Sequence, residues 1–217
     1  MDLLPTLPQL LEPKLRLLLE AAATLAFALS GVIEAARKRL DAVGVCVVAF
    51  AAAFGGGTLR DLLLDHRPFF WIGQIEYLWA LLVLCSLAIA FMQQRHLAPT
   101  ERAILWPDAL GLGLFTAVGT DLALSLGQPA LVAVLMGVVT ATFGGVIRDI
   151  LCNEIPRALA DHRPYALWSF AGGWLFVGLT QLQWAPEPAL AATVVATAGA
   201  RLLSVYRNWT LPGWQRR

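Results

Sequence analysis

The sequence predicts an all-α membrane protein with seven transmembrane helices, built as two inverted three-helix repeats plus a seventh helix, the second and fifth helices being broken at glycines. Three observations carry that prediction. The 217 residues are 58% hydrophobic and only 14% charged, with a mean hydropathy of +0.66, whereas soluble domains run at about 45–50% apolar and about 25% charged. Seven apolar stretches reach the roughly 17–25 residues that a bilayer crossing requires. A signature near residue 55 returns near residue 143 in the same register.

The elements follow in order. Residues 1–16 carry Asp2, two early prolines and Glu12 where a secretory signal would carry basic residues, so they are expected to form an interfacial lead-in. Spans are predicted over 17–36, 41–64 and 75–92, then 106–126, 129–151 and 165–182, and finally 188–206. The domain plan is a first repeat over 17–92, a cytoplasmic linker over 93–105 and a second repeat over 106–182. The seventh helix takes 183–206 and a cytoplasmic tail 207–217. Aromatic rings that favour the headgroup level cluster near the span ends, among them Trp71, Trp79, Trp106, Trp184 and Trp209.

Lys and Arg in short loops set orientation. One side receives Arg37, Lys38, Arg39, Arg95, Arg102, Arg157, Arg163, Arg207, Arg216 and Arg217; the other has little beyond Lys14, Arg16 and Arg67. The N-terminus is therefore expected outside and the C-terminus in the cytoplasm, in a bacterial inner membrane.

The repeat is explicit. "GGGTLRDLLLDHRP" at 55–68 aligns with "FGGVIRDILCNEIP" at 143–156 at a constant offset of 88 residues. Arg60 and Asp61 fall on Arg148 and Asp149, and Pro68 falls on Pro156. The same offset carries Phe27 to Phe115, Gly31 to Gly119 and Tyr77 to Tyr165. Because a unit of three spans is odd, its second copy enters from the opposite side of the membrane, the inverted plan of many transporters.

The glycine runs are the first candidate site. Glycine costs about 0.8–1.0 kcal/mol relative to alanine inside a helix, so Gly55, Gly56 and Gly57, with Gly144 and Gly145, are expected to break their helices and line a path. Unwound backbone at membrane depth survives only where protein buries it or water lines it. The competing reading is close helix packing, which small residues serve in membranes.

Charges near the breaks are the second. Arg60, Asp61, Arg148 and Asp149 lie about five residues from their helix ends, where they either lock helices as ion pairs or flank an aqueous passage; both can hold. Asp121 sits well inside the fourth span with no basic residue of its own span to pair with, so another helix, water or a passing cation must answer it. Glu34 is close to pseudo-equivalent and has Arg37 and Lys38 at helical spacing. Ser30, Thr58, Thr116, Thr120, Thr140 and Thr142 either line the path or bond back to helix carbonyls.

These residues make the chain resemble the prokaryotic members of the trimeric intracellular cation channel family, and the related bacterial membrane proteins that carry a glycine-transporter domain. The resemblance spans roughly residues 15–206. It implies a homotrimer in which each protomer carries its own pore, permeation of monovalent cations, chiefly K⁺, and a pore shaped by glycine kinks at Gly55–Gly57 and Gly144–Gly145.

Two functions follow: a K⁺/Na⁺ channel, or a secondary transporter of glycine or another small zwitterion. The chemistry alone favours neither, and the resemblance favours the channel. No "TVGYG" filter is present, so strong K⁺ selectivity is not expected. Partners are expected to be membrane lipids, permeant K⁺ and Na⁺, and two further copies of the chain; a net charge of +1 gives no nucleic-acid footprint. No cofactor or resident metal is expected, since Cys46, Cys85 and Cys152 lie singly in apolar runs. Nor is an enzyme, since His66, His96 and His162 sit in loops without a nucleophile and base arrangement.

Overall fold

The computed structural model describes residues 12–95, 101–160 and 162–212. Within them lie eight helices and no strand: α1 (Pro13–Arg37), α2 (Ala42–Leu63), α3 (Ile75–Arg95), α4 (Glu101–Ser125), α5 (Ala130–Leu151), α6 (Arg157–Ala160), α7 (Ala166–Gln181) and α8 (Pro186–Tyr206). Five of them are long and apolar enough to cross a membrane; α3 holds a shorter apolar stretch over Ile75–Phe91 and α7 has 16 residues. Residues 1–11, most of the expected lead-in, lie outside the described residues, as do His96, Asp161, Arg216 and Arg217.

Local chemistry starts and stops these helices. Prolines open α1 and α8, where a missing N–H costs nothing. Asp41 caps α2 by accepting a hydrogen bond from the Gly44 N–H at 2.7 Å. Six helices end the same way, with one residue in the left-handed region: Arg39, Asp65, Gly127, Asn153, Gln183 and Asn208. After α2 the His66 N–H reaches the Asp61 carbonyl and the Asp65 N–H reaches that of Leu62; after α5 Glu154 and Asn153 repeat this on Asp149 and Ile150. This is the Schellman arrangement. It satisfies terminal carbonyls that lipid could not.

Burial is inverted relative to a soluble protein. Trp79, Leu87, Val43 and Val195 are exposed, while Arg60, Asp61, Glu34 and Arg148 are buried. Apolar side chains face outward and charges face inward, as a lipid solvent requires. One core cluster joins α1, α2 and α3 around Phe54, Phe70 and Tyr77; a second joins α4, α5, α7 and α8 around Val134 and Phe176. Phe27 of α1 stacks on Phe115 of α4 between them, with centroids 5.6 Å apart.

The expected breaks are corrected by the structure. Both α2 and α5 run as uninterrupted helix through Gly55–Gly57 and through Gly144–Gly145. The reason is the crossing of the two helices. A Cβ on Gly56 would come closer than 3.0 Å to the Thr140 carbonyl oxygen of α5, and one on Gly144 would do the same at the Ala52 carbonyl oxygen of α2. Adding 88 to 56 and to 52 gives 144 and 140, so the contact maps onto itself under the sequence offset. A Cβ on Gly55 would likewise collide with the Ile147 side chain. These glycines remain helical and bring backbones together.

Two boundaries also move. Helix α1 begins at Pro13 rather than 17, placing Arg16 in its first turn, and α4 begins at Glu101 rather than 106, carrying Pro107 inside it.

Candidate functional site: two buried arginine clusters

Each "RD" pair sits at the centre of an ion cluster. In α2, Arg60 Nε donates to Asp61 Oδ1 at 2.8 Å, its Nη2 lies 2.7 Å from the same oxygen, and its Nη1 lies 3.2 Å from Glu20 Oε1 on α1. In α5, Arg148 Nε donates to Asp149 Oδ1 at 2.8 Å, and its Nη1 donates to Asp108 Oδ1 of α4 at 2.7 Å. Arg148 Nη1 also donates to the Ser30 hydroxyl of α1 at 2.9 Å. Adding 88 to 20 gives 108, so the far carboxylate of each cluster obeys the same offset as its arginine.

The second oxygen of each aspartate holds the chain that follows. Asp61 Oδ2 accepts from the Phe70 N–H at 2.8 Å, and Asp149 Oδ2 accepts from the Arg157 N–H at 2.9 Å. The aspartates thus tie a helix end, a guanidinium and the next loop together. All six charged groups are at least nine-tenths buried. Charges that deep persist only when paired and hydrogen-bonded, which explains why every arginine has two acidic neighbours.

Asp121, which no residue of its own span could answer, is answered from another helix, and Glu34 takes the expected Arg37 together with a second arginine. Arg16 reaches across from α1 to Asp121 Oδ2, with Nε at 2.9 Å and Nη2 at 2.5 Å. Glu34 takes Arg37 at 2.9 Å and Arg157 at 2.6 Å. Lys38 instead pairs with Glu154. That hydrogen bond holds the Glu154 carboxyl below the usual carboxylate range and raises the Lys38 ammonium.

The clusters lie at opposite ends of the bundle. Arg16, Glu20, Arg60, Asp61 and Asp121 gather where α1 begins and α2 and α4 end. Ser30, Glu34, Asp108, Arg148 and Asp149 gather where α1 and α5 end and α4 begins. On α1 the two ends are separated by the ten-position step from Glu20 to Ser30, about 15 Å at 1.5 Å per residue.

The threonines bond locally. Thr58, Thr116, Thr120, Thr140 and Thr142 each donate to the carbonyl four residues earlier, at 2.6–2.8 Å. Thr116 also meets Ser169 of α7 at 2.6 Å, and Thr58 accepts from the Trp71 indole at 2.9 Å. Among the described residues no group of His, Cys, Asp and Glu is arranged to hold a metal ion. Glu20, Asp108 and Arg157 were absent from the sequence-based candidates, whereas Ser30 was among the hydroxyls near the glycine runs expected to line a path or bond back to their helices, and it does bond back, to the Phe27 carbonyl. The offset that aligns Glu20 with Asp108 was the signal for two of them; nothing local marked Arg157.

Comparison with known proteins agrees with this architecture. The family model described as "Glycine transporter" matches twice, over residues 17–93 and 105–181. The second match starts and ends 88 residues after the first. A UPF0126 membrane protein of Vibrio cholerae is 35% identical over 206 residues, covering 93% of this chain and 84% of its own length. The UPF0126 inner membrane protein YadS of Escherichia coli K12 is 40% identical over 156 residues, 71% of this chain and 74% of that protein. Among solved structures, the TRIC trimeric intracellular cation channel orthologue from Rhodobacter sphaeroides aligns with a TM-score of 0.83 at 32% identity, over 90% of this chain and 99% of that one. A chain described under conductance through TRIC cation channels aligns at 0.80 with 34% identity, over 92% and 97%. The chain is a multi-pass membrane protein that belongs to the Glycine transporter family and shares the fold of the TRIC channels.

Proposed function

We propose that this protein is a monovalent cation channel, passing K⁺ and Na⁺, in which each protomer of a homotrimer carries its own path between two inverted three-helix repeats. The observation that carries this reading is the alignment, over nine-tenths of the chain, with structures described as TRIC cation channels. The twofold match of the family model at the 88-residue offset supports the repeat, with α1–α3 forming one copy, α4, α5 and α7 the other, and α8 the seventh span. The relative named an inner membrane protein supports that location, and the loop charges support an external N-terminus and a cytoplasmic C-terminus.

In this reading the path runs beside the α2–α5 crossing, with Gly55–Gly57, Gly144 and Gly145 keeping its wall thin. Asp121 and Glu34 draw cations to the two ends when their arginine partners swing away, and the threonine hydroxyls offer polar contacts between. Arg60–Asp61 and Arg148–Asp149 fix the helices on either side. Without a carbonyl-ring filter, discrimination between K⁺ and Na⁺ is expected to be weak.

The test is current through purified protein in a planar bilayer. Discrete K⁺ current is expected, with smaller unitary conductance in Asp121→Asn. The family description raises the second reading, transport of glycine. Vesicles that accumulate labelled glycine against a gradient, with no unitary current, would establish that reading instead.

A further inference from the structure

Gly57 and Gly145 are related by the 88-residue offset, yet their surroundings are opposite. A Cβ on Gly57 would fall closer than 3.0 Å to the ring of Phe70. At Gly145 the nearest atoms are all polar and all at ordinary contact distance: Arg148 Nη2 and the Tyr165 hydroxyl at 3.6 Å, and Asp108 Oδ1 at 3.7 Å. The Tyr165 hydroxyl is buried there, beside Asp108 and Arg148. One half of the bundle packs an aromatic ring where the other presents three hydrogen-bonding groups.

The cause is in the sequence. The offset places Ala158 opposite Phe70, and the aspartate anchor places Arg157 there, because Asp149 Oδ2 holds Arg157 as Asp61 Oδ2 holds Phe70. Neither supplies a ring, since Ala158 is a methyl group and the Arg157 side chain leaves for Glu34.

Phe70 does not belong to a helix. It lies on the connection between α2 and α3, yet it is only 7% exposed. Its backbone is latched by Asp61, the Arg60 guanidinium stands 5.4 Å from its ring centroid, and its ring meets Tyr77 at 6.0 Å and Phe115 at 6.5 Å. The loop therefore carries an apolar ring inward past the Arg60 cluster to the aromatic centre.

We infer that Phe70 is the plug of one half of the permeation path: a loop-borne ring seated on Gly57 that keeps water out of the end where α1 begins. An apolar constriction excludes ions by staying dry, and a ring delivered by a loop can be withdrawn without unwinding a helix. This inference rests on the channel reading for its effect on current, and the test separates the two. Hydroxyl-radical footprinting of the reconstituted protein reads water access without requiring conduction. In the wild type the exposed Tyr206 is expected to label and Tyr77 to remain protected. In Phe70→Ala, Tyr77 labelling rises several-fold and bilayer current rises with it. Gly57→Ala provides the second variant, because its methyl group displaces the ring while leaving it in the chain, and the same rise at Tyr77 is expected. Protection of Tyr77 unchanged in whichever variants assemble, or wild-type Tyr77 as reactive as Tyr206, overturns the plug. If labelling rises but neither protein carries current, the plug stands and the channel reading falls.

Discussion

Arg60 and Arg148 are among the largest fully buried side chains of the molecule, and each is neutralised by one aspartate on its own helix and one carboxylate from another. Removing one partner of such a buried pair costs about 3–5 kcal/mol, because the remaining charge stays in a medium that cannot solvate it. Glu20→Gln and Asp108→Asn are therefore expected to lower the melting temperature in detergent clearly, by comparable amounts. Glu154→Gln, which breaks an exposed pair with Lys38, should leave it nearly unchanged. Melting curves of the three variants check both statements. The sequence revealed that Asp121 needs a partner from outside its own helix but not that Arg16 provides it, because 105 residues separate them. Arg16 also falls in a segment that reads as interfacial. Glu20 escaped for a related reason: near a helix end, a lone glutamate looks solvated.

At the scale of helices, the glycine signature was legible and its local consequence was not. Propensity describes what a residue does to its own helix, whereas Gly56 and Gly144 answer to the carbonyl across the crossing. Packing restores the helix that three glycines weaken. Gly56→Ala and Gly144→Ala must push a backbone aside, and overpacking of this kind costs about 1–3 kcal/mol or more. Both should reduce the yield and thermal stability of assembled protein. Gly145→Ala, with nothing closer than 3.6 Å, should assemble normally, so yield measured by size-exclusion chromatography across the three separates a crossing glycine from one whose neighbours already stand at methyl-contact distance. Helix ends were legible to within a few residues except at α1 and α4, whose first turns are too polar to look like spans.

For the whole molecule, a membrane protein was readable from composition, and the 88-residue offset was readable from two short motifs. The ties between the halves were not, because they lie between residues more than a hundred positions apart: Arg16 with Asp121, Ser30 with Arg148 and Glu34 with Arg157. If the C-terminus is cytoplasmic, a cysteine placed at Asn208 in an otherwise cysteine-free chain should resist an impermeant thiol reagent added to intact cells and react in inverted vesicles. Labelling from outside would reverse the proposed orientation.

The reciprocal seat of Gly56 on Thr140 and Gly144 on Ala52 means that each half meets the other through the same two positions of the 88-residue repeat. A contact of that kind needs no covalent tether. Two genes, one encoding residues 1–95 and the other 101–217, should yield fragments that find each other in the same cell and co-purify. The full-length chain can thus be regarded as a dimer whose two subunits have been fused and have since diverged, keeping their shared handshake while assigning the Phe70 ring to one and the Arg148, Tyr165 and Asp108 groups to the other.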